Sequence, residues 1–201
     1  MSVLGLAMTA VIAGGASWAV AARADLKEAE AEFRFPPEGK FVTVDDRVIH
    51  YLQRGSGPDL VILHGAGGST RDYSFDLIDR LSGHYRVTIF DRPGHGWSQR
   101  ISPHLDGLWS TEAESPAQQA AFLARAAHQL GIQRPILMGQ SYGGAVALAW
   151  ALAHPAAALV AVSAVSHPWP GAIDLHYRIN ASTAGGMVLV RMTGSADRVE
   201  I

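Results

Sequence analysis

The stretch GQSYGG, residues 139–144, decides the fold because it joins an apolar run to a helical pattern. Residues 135–138 (PILM) are typical of a short strand buried on both faces. Residues 143–153 are small or apolar, and the helical pattern ends with His154 before Pro155. A serine on such a sharp strand-to-helix turn needs glycine neighbours, because a β-carbon there would clash with nearby backbone. The pattern predicts that the Ser141 hydroxyl projects beyond the end of a buried strand.

Strand-like and helix-like segments alternate on both sides of this turn. Strands are predicted at residues 40–44, 47–53, 59–63, 86–90, 135–138 and 159–165, and the last of these is expected to be buried. Helices are predicted at about 69–81, 116–130 and 143–154, the last with a buried stripe of Ala145, Leu148, Ala149 and Leu152. This alternation indicates an α/β fold with a mostly parallel sheet and helices on both faces.

A second glycine-rich motif, HGAGG at residues 64–68, directly follows the strand at 59–63. Glycines in this position allow backbone N–H groups to converge on one point, as an oxyanion hole requires. A dinucleotide or phosphate loop is the competing interpretation, but it would need glycine where Thr70 stands. We expect His64 to organise the loop rather than to act as an acid or base.

The third motif, DRPGHGWS at residues 91–98, follows the strand at 86–90. We interpret it as a tight loop held by Asp91 and its glycines. All three motifs follow the carboxyl ends of predicted strands, which is where open α/β sheets place their sites.

Together, the three motifs resemble the α/β-hydrolase superfamily over about residues 41–165. The pattern D-R-P-G-x-G-x-S is similar to the branch that holds haloalkane dehalogenases, epoxide hydrolases, carbon–carbon bond hydrolases and cofactor-free esterases. The resemblance implies that Ser141 is the nucleophile and that the N–H groups of Ala66 and Tyr142 form the oxyanion hole. Dehalogenases and epoxide hydrolases carry aspartate in place of this serine, so acyl transfer to water is favoured: an ester, an amide or a carbon–carbon analogue. No cofactor is implied.

The sequence departs from the family where the rest of the catalytic triad should follow. The resemblance implies the chain order serine, acid, histidine. The strand at 159–165 is followed by SHPWP, which contains no acid. We expect His167 to line the substrate mouth rather than to serve as the base. The triad acid and base are therefore expected to be missing from these 201 residues, and a truncated or frame-disrupted chain is our leading explanation.

The chain divides into four segments by composition. Residues 1–23 form a hydrophobic segment, uncharged through Ala22 and long enough for a single transmembrane anchor; a cleaved signal peptide, giving a secreted or periplasmic protein, is the alternative. Residues 24–39 read as a charged stalk, residues 40–170 as the α/β-hydrolase core, and residues 171–201 as the start of a lid or a truncated tail.

Composition excludes several classes of partner. The net charge of −2 gives no indication of a nucleic-acid partner. Because the sequence contains no cysteine, disulfides, cysteine nucleophiles and thiolate metal sites are excluded. The nine histidines show no zinc-binding spacing, so we expect no metal. A small-molecule acyl substrate is the expected partner, and the oligomeric state is left open. A catalytically inactive binding module and an acyltransferase on the same scaffold stay as alternatives to the hydrolase.

Overall fold

The structure is a computed structural model that describes residues 32–105 and 113–167, together with residues 22, 23, 26, 29, 30, 171 and 175. One compact unit, Pro37–Pro103 with Ala113–Pro168, contains all the strands and α-helices given below. Almost all of the predicted anchor and of the predicted lid lies outside the described residues. Among the helices that the structure does describe, none has the length and apolar character needed to cross a bilayer.

Six strands form one mixed sheet with the order β1-β2-β4-β3-β5-β6. Their bounds are β1 Lys40–Val44, β2 Arg47–Arg54, β3 Asp59–Leu63, β4 Arg86–Phe90, β5 Ile136–Gln140 and β6 Ala158–Val162. The pairs β1–β2 and β2–β4 are antiparallel, whereas β4–β3, β3–β5 and β5–β6 are parallel. The α/β class is confirmed, with the antiparallel pairs confined to one side of the sheet.

The antiparallel side begins with a tight hairpin between β1 and β2. Its two loop residues, Asp45 and Asp46, have φ angles of 48° and 61°. Positive φ at both central positions defines the turn whose twist matches that of paired strands, and aspartate tolerates this conformation better than most residues.

Helices cover both faces of the sheet. They are α1 Arg71–Ser74, α2 Leu77–Ser82, α3 Pro116–Gln129 and α4 Tyr142–Ala153, with a 3₁₀ turn at Pro103–Leu105. Alternate residues of β3 point to opposite faces. Val61 and Leu63 join the core formed with α3 and α4, whereas Leu60 and Ile62 join the core formed with α1 and α2.

The single helix predicted at 69–81 is wrong, because the chain breaks between Ser74 and Leu77. Tyr73 and Ile78 are both buried against the sheet, five positions apart. In one continuous helix they would point about 140° apart, since each residue turns the helix by about 100°. The break at Phe75 and Asp76, where Asp76 has φ of −152°, lets both side chains face the core.

The predicted buried stripe of α4 is also wrong. The buried residues are Gly143, Gly144, Val146, Ala147 and Trp150, whereas Leu152 is 88% exposed. Nearly every residue of this helix is small or apolar, so the sequence carries no contrast that could identify its inner face.

The strand predicted at 159–165 forms as β6, but the prediction that it is buried is wrong. β6 pairs only with β5 and lies at the edge of the sheet as described, with Val160 46% exposed. An apolar run of this length looks the same at an edge as at the centre of a parallel sheet.

Three glycines allow α4 to begin against the ends of the central strands. A β-carbon on Gly143 would overlap the carbonyl oxygens of Leu63 and His64, and one on Gly144 would overlap the side chain of Ala164. A β-carbon on Gly139 would stand 2.7 Å from the Cα of Gly144. These are backbone or tightly held atoms that cannot move aside cheaply.

Replacing Gly143 by alanine is expected to lower the free energy of unfolding by about 2 kcal/mol, because the added methyl overlaps the successive backbone carbonyls of Leu63 and His64. Gly83 is the control, since a β-carbon there meets nothing within 4 Å and its φ is −69°. Urea denaturation of Gly143→Ala and Gly83→Ala measures both. Equal stabilities for the two variants would contradict the close approach of α4.

Candidate active site

Ser141 stands at the junction of β5 and α4 in a strained backbone conformation. Its φ is 52° and its ψ is −118°, a region that residues with a β-carbon rarely adopt. The conformation is held by hydrogen bonds on both sides of the residue: Ser141 N–H donates to the Val162 carbonyl (3.0 Å), and the Ser141 carbonyl accepts from Val165 N–H (3.1 Å). The side chain is half-buried, and no described residue forms a hydrogen bond with its hydroxyl. The sharp strand-to-helix turn predicted from GQSYGG is thus present, and it is strained at Ser141.

The HGAGG loop lies directly against Ser141. A β-carbon on Gly65 would overlap the Gln140 side chain and would stand 3.5 Å from the Cβ of Ser141. A side chain at position 65 would require Gln140 to move. The structure therefore brings together the two motifs that the sequence predicts to form one site.

The two predicted oxyanion donors have N–H groups without an acceptor in the described part of the chain. Neither Ala66 N–H nor Tyr142 N–H takes part in any hydrogen bond described there. Tyr142 is the first residue of α4, where helix N–H groups lack partners within the helix and carry a positive partial charge. Such groups can bind an anion that forms beside Ser141.

His64 is fully buried and serves the loop, as predicted. Its Nε2 accepts from Arg92 N–H (2.9 Å), so the ring proton is on Nδ1, which donates to the Gly65 carbonyl (2.9 Å). Burial, as the larger cause, and the nearby Arg92 charge together lower the pKa of His64 from 6.5 to about 3. The imidazole is neutral, with both nitrogens engaged, and cannot act as a base toward Ser141.

Arg92 is a residue that the sequence analysis did not single out. Its guanidinium is buried and donates from Nε to the His64 carbonyl (2.9 Å), from Nη2 to the Gly65 carbonyl (2.7 Å) and from Nη1 to Gln119 Oε1 (2.9 Å). It also stacks on the ring of Tyr142, 4.9 Å from the centroid. The sequence feature that could have indicated Arg92 is its place directly after Asp91, at the carboxyl end of β4.

The Arg92 side chain carries an unusual buried charge. Burial lowers its pKa to about 10, which still leaves the guanidinium charged at neutral pH. Within residues 32–105 and 113–167, no carboxylate lies within ion-pair distance of it. Carbonyl dipoles and the Tyr142 ring replace a counter-ion.

Asp91 anchors the base of the DRPGHGWS loop. Its carboxylate accepts from His50 Nδ1 (2.7 Å), from Thr70 N–H (2.7 Å) and from Trp97 N–H (3.1 Å). Burial alone would raise the pKa of Asp91, but these hydrogen bonds outweigh burial and hold the pKa below its ordinary value. The predicted role of Asp91 as the residue that holds this loop is confirmed.

Ser98, His50 and Asp91 share the residue types of a catalytic triad but not its geometry. The Ser98 hydroxyl donates to the Asp91 main-chain carbonyl (2.8 Å), not to the His50 ring. His50 Nε2 accepts from Gly39 N–H (3.0 Å) and is not available as a base. This buried cluster fixes β2 to the loop after β4.

His167 is exposed and does not meet Ser141. Its Nδ1 lies 3.1 Å from the hydroxyl of Ser166. The part of the chain that the structure covers thus holds the predicted nucleophile and the two predicted oxyanion donors, and no described histidine or acid contacts the Ser141 hydroxyl. The same residues contain no cluster of three metal-ligating side chains.

Comparison with known proteins finds one family. The family model described as alpha/beta hydrolase fold matches residues 58–188. A crystal structure of an alpha/beta hydrolase from Sphaerobacter thermophilus is similar, with 25% identity and a TM-score of 0.56, covering 77% of this chain and 58% of that one.

Two curated relatives share more than a third of their aligned residues. A dihydrolipoyllysine-residue acetyltransferase component of an acetoin cleaving system from Cupriavidus necator is 37% identical, over 58% of this chain and 29% of that protein. A pimeloyl-[acyl-carrier protein] methyl ester esterase from Vibrio vulnificus is 36% identical, over 53% of this chain and 36% of that protein. The chain thus spans about a third of the length of these relatives.

Glycine at position 141 is expected to be more stable than alanine there, by about 1 kcal/mol, because only glycine relieves the positive φ. Thermal or urea denaturation of Ser141→Gly and Ser141→Ala measures the difference. At Ser74 in α1 the order should reverse, since glycine is unfavourable in a helix. Alanine being the more stable residue at both sites would contradict a strained Ser141.

The stability conferred by His64 is expected to fall with acid. The unfolded chain binds a proton at His64 below about pH 6.5, whereas the folded chain resists it to about pH 3, so stability falls over this window by about 1.4 kcal/mol per pH unit. His64→Gln retains an acceptor for Arg92 but does not titrate. The stability gap between wild type and this variant should narrow by about 2 kcal/mol from pH 6.5 to 5. Parallel stability curves would disprove a neutral, buried His64.

Proposed function

Because the chain belongs to the alpha/beta-hydrolase family, we propose that it is the core of a serine hydrolase that cleaves an ester or a related acyl substrate. The observation that carries the proposal is the strained Ser141, standing beside two N–H groups that have no described acceptor. Strain of this kind is kept where function requires it, since glycine would avoid it. The Vibrio esterase, which aligns over 53% of this chain, adds support for ester chemistry.

In the proposed reaction, Ser141 Oγ attacks the acyl carbon and its proton passes to a general base. The carbonyl electron pair moves to oxygen, and the resulting oxyanion is bound by the N–H groups of Ala66 and Tyr142. Collapse of this intermediate expels the alcohol, which takes up the proton, and leaves an acyl-Ser141 ester. Water then attacks that ester by the same route and releases the acid.

The general base and its orienting acid belong to a part of the protein outside the described residues. The described histidines of the two glycine loops contact other groups than Ser141: His64 bonds Arg92 N–H and the Gly65 carbonyl, and the ring nitrogens of His95 lie against the carbonyls of Pro93 and Ala66. Without a positioned base the nucleophile would lose on the order of 10⁴-fold in rate.

Membrane attachment through residues 1–23 is a second element of the proposal that rests on the sequence alone.

An acyltransferase is the second candidate, because one relative is named as an acetyltransferase component. The same acyl-Ser141 intermediate serves both reactions, and only the acceptor, water or another nucleophile, differs. Comparing acid release with ester formation in the presence of added alcohols distinguishes them.

The full-length protein is expected to react covalently with a fluorophosphonate probe at Ser141, since this reaction needs an activated serine and an oxyanion hole. Ser141→Ala should abolish the labelling, whereas Ser163→Ala, which removes another serine with positive φ, should leave it unchanged. Mass spectrometry of the labelled peptide identifies the site. A folded protein that does not label would favour a catalytically inactive binding module instead.

A further inference from the structure

The peptide between Gly65 and Ala66 is held firmly at one end and has no described partner at the other. Its carbonyl accepts from Arg92 Nη2 (2.7 Å), from His64 Nδ1 (2.9 Å) and from Gly68 N–H (3.2 Å). Its N–H, which belongs to Ala66, has no acceptor among the residues described. A trans peptide is planar, with C=O and N–H pointing in opposite directions, so donors that fix the carbonyl also fix where the N–H points.

Arg92 also reaches the second predicted donor. Its Nε and Nη2 donate to the successive carbonyls of His64 and Gly65. Its central carbon, Cζ, lies over the Tyr142 ring. Arginine suits this position because its donors form a rigid fork that can stack and bond at once. One buried cation therefore bonds the carbonyl of the peptide that carries the Ala66 N–H and stacks on the side chain of Tyr142, the second predicted donor.

Gln119 and the core hold the guanidinium in place. Nη1 donates to Gln119 Oε1, and the Gln119 amide donates to the Glu114 carbonyl (3.1 Å). Gln119 is buried on α3, and Glu114 is buried just before that helix begins. The side chain of Arg92 is 1% exposed, so its charge is little screened by water at short range.

We propose that Arg92 is a positioning residue of the oxyanion hole: it orients the Gly65–Ala66 peptide and places a fixed positive charge behind it. The inference rests on the proposed function, because it assigns a role within that site. His95 supports the same loop from the next peptide, since its Nε2 lies 2.8 Å from the Ala66 carbonyl. The loop after β4 thus has a catalytic consequence although none of its side chains needs to touch substrate.

The test uses the full-length protein with a p-nitrophenyl ester and a fluorophosphonate probe. Arg92→Met keeps the length of the side chain but removes its donors and charge, and we expect kcat and the rate of Ser141 labelling to fall by about 30-fold with little change in KM. This loss is smaller than the ~10²–10³-fold that follows removal of an oxyanion donor itself. Arg92→Lys keeps the charge but cannot bond both carbonyls, so it should recover part of the rate.

Leu123→Ala is the control for a loss of stability alone, because Leu123 is buried in the core under α3 and its side chain has no polar group that could bond the HGAGG loop. All variants are assayed where circular dichroism shows them folded. If Leu123→Ala lowers kcat as much as Arg92→Met, or if folded Arg92→Met reacts at the wild-type rate, the inference is overturned while the proposed function stands. If wild type does not label at Ser141, both are overturned.

If Arg92→Met does not fold, Arg92→Lys and Gln119→Leu carry the test. Each keeps a cation at position 92 but loosens its geometry, and each should lower kcat by about 3- to 10-fold at unchanged KM, well short of losing an oxyanion donor outright. Wild-type kcat in both would overturn the positioning role.

Discussion

The close approach of α4 to the ends of β3 and β5 is the constraint on which the rest of the structure depends. Gly139, Gly143 and Gly144 remove the side chains that would keep the helix away from the sheet. The chain must then turn from strand to helix within one residue, and Ser141 takes up that turn with a positive φ. The strain is offset by the core that α3 and α4 bury against the sheet.

Much of this arrangement can be predicted from short stretches of the sequence. The bounds of β3 and β4 are the same as those predicted, and the turn at Ser141 follows from its glycines. Local patterns do not predict which face of α4 is buried, because nearly all of its residues are small or apolar. They also do not predict the burial of β6, because that depends on which strands lie beside it. They also miss the break before Leu77, which lets Tyr73 and Ile78 share one core.

The candidate site was only partly predictable for a related reason. Ser141, Ala66 and Tyr142 lie in motifs whose spacing carries their chemistry. Arg92 and Gln119 act through a contact that joins the loop after β4 to α3, and nothing in their local sequence shows that they meet. Asp91 and His50 have the residue types of a catalytic pair, but their contacts show a structural role. They bond to each other, and the Asp91 carboxylate and His50 Nε2 also accept from the backbone N–H groups of Thr70 and Gly39.

The most direct test of the account is a crystal structure of the full-length protein after reaction with a phosphonate inhibitor. The account predicts a phosphorus bonded to Ser141 Oγ, with the phosphonyl oxygen within about 2.7–3.1 Å of the backbone nitrogens of both Ala66 and Tyr142. A phosphonyl oxygen directed away from these two nitrogens, or an adduct on a different residue, would contradict it.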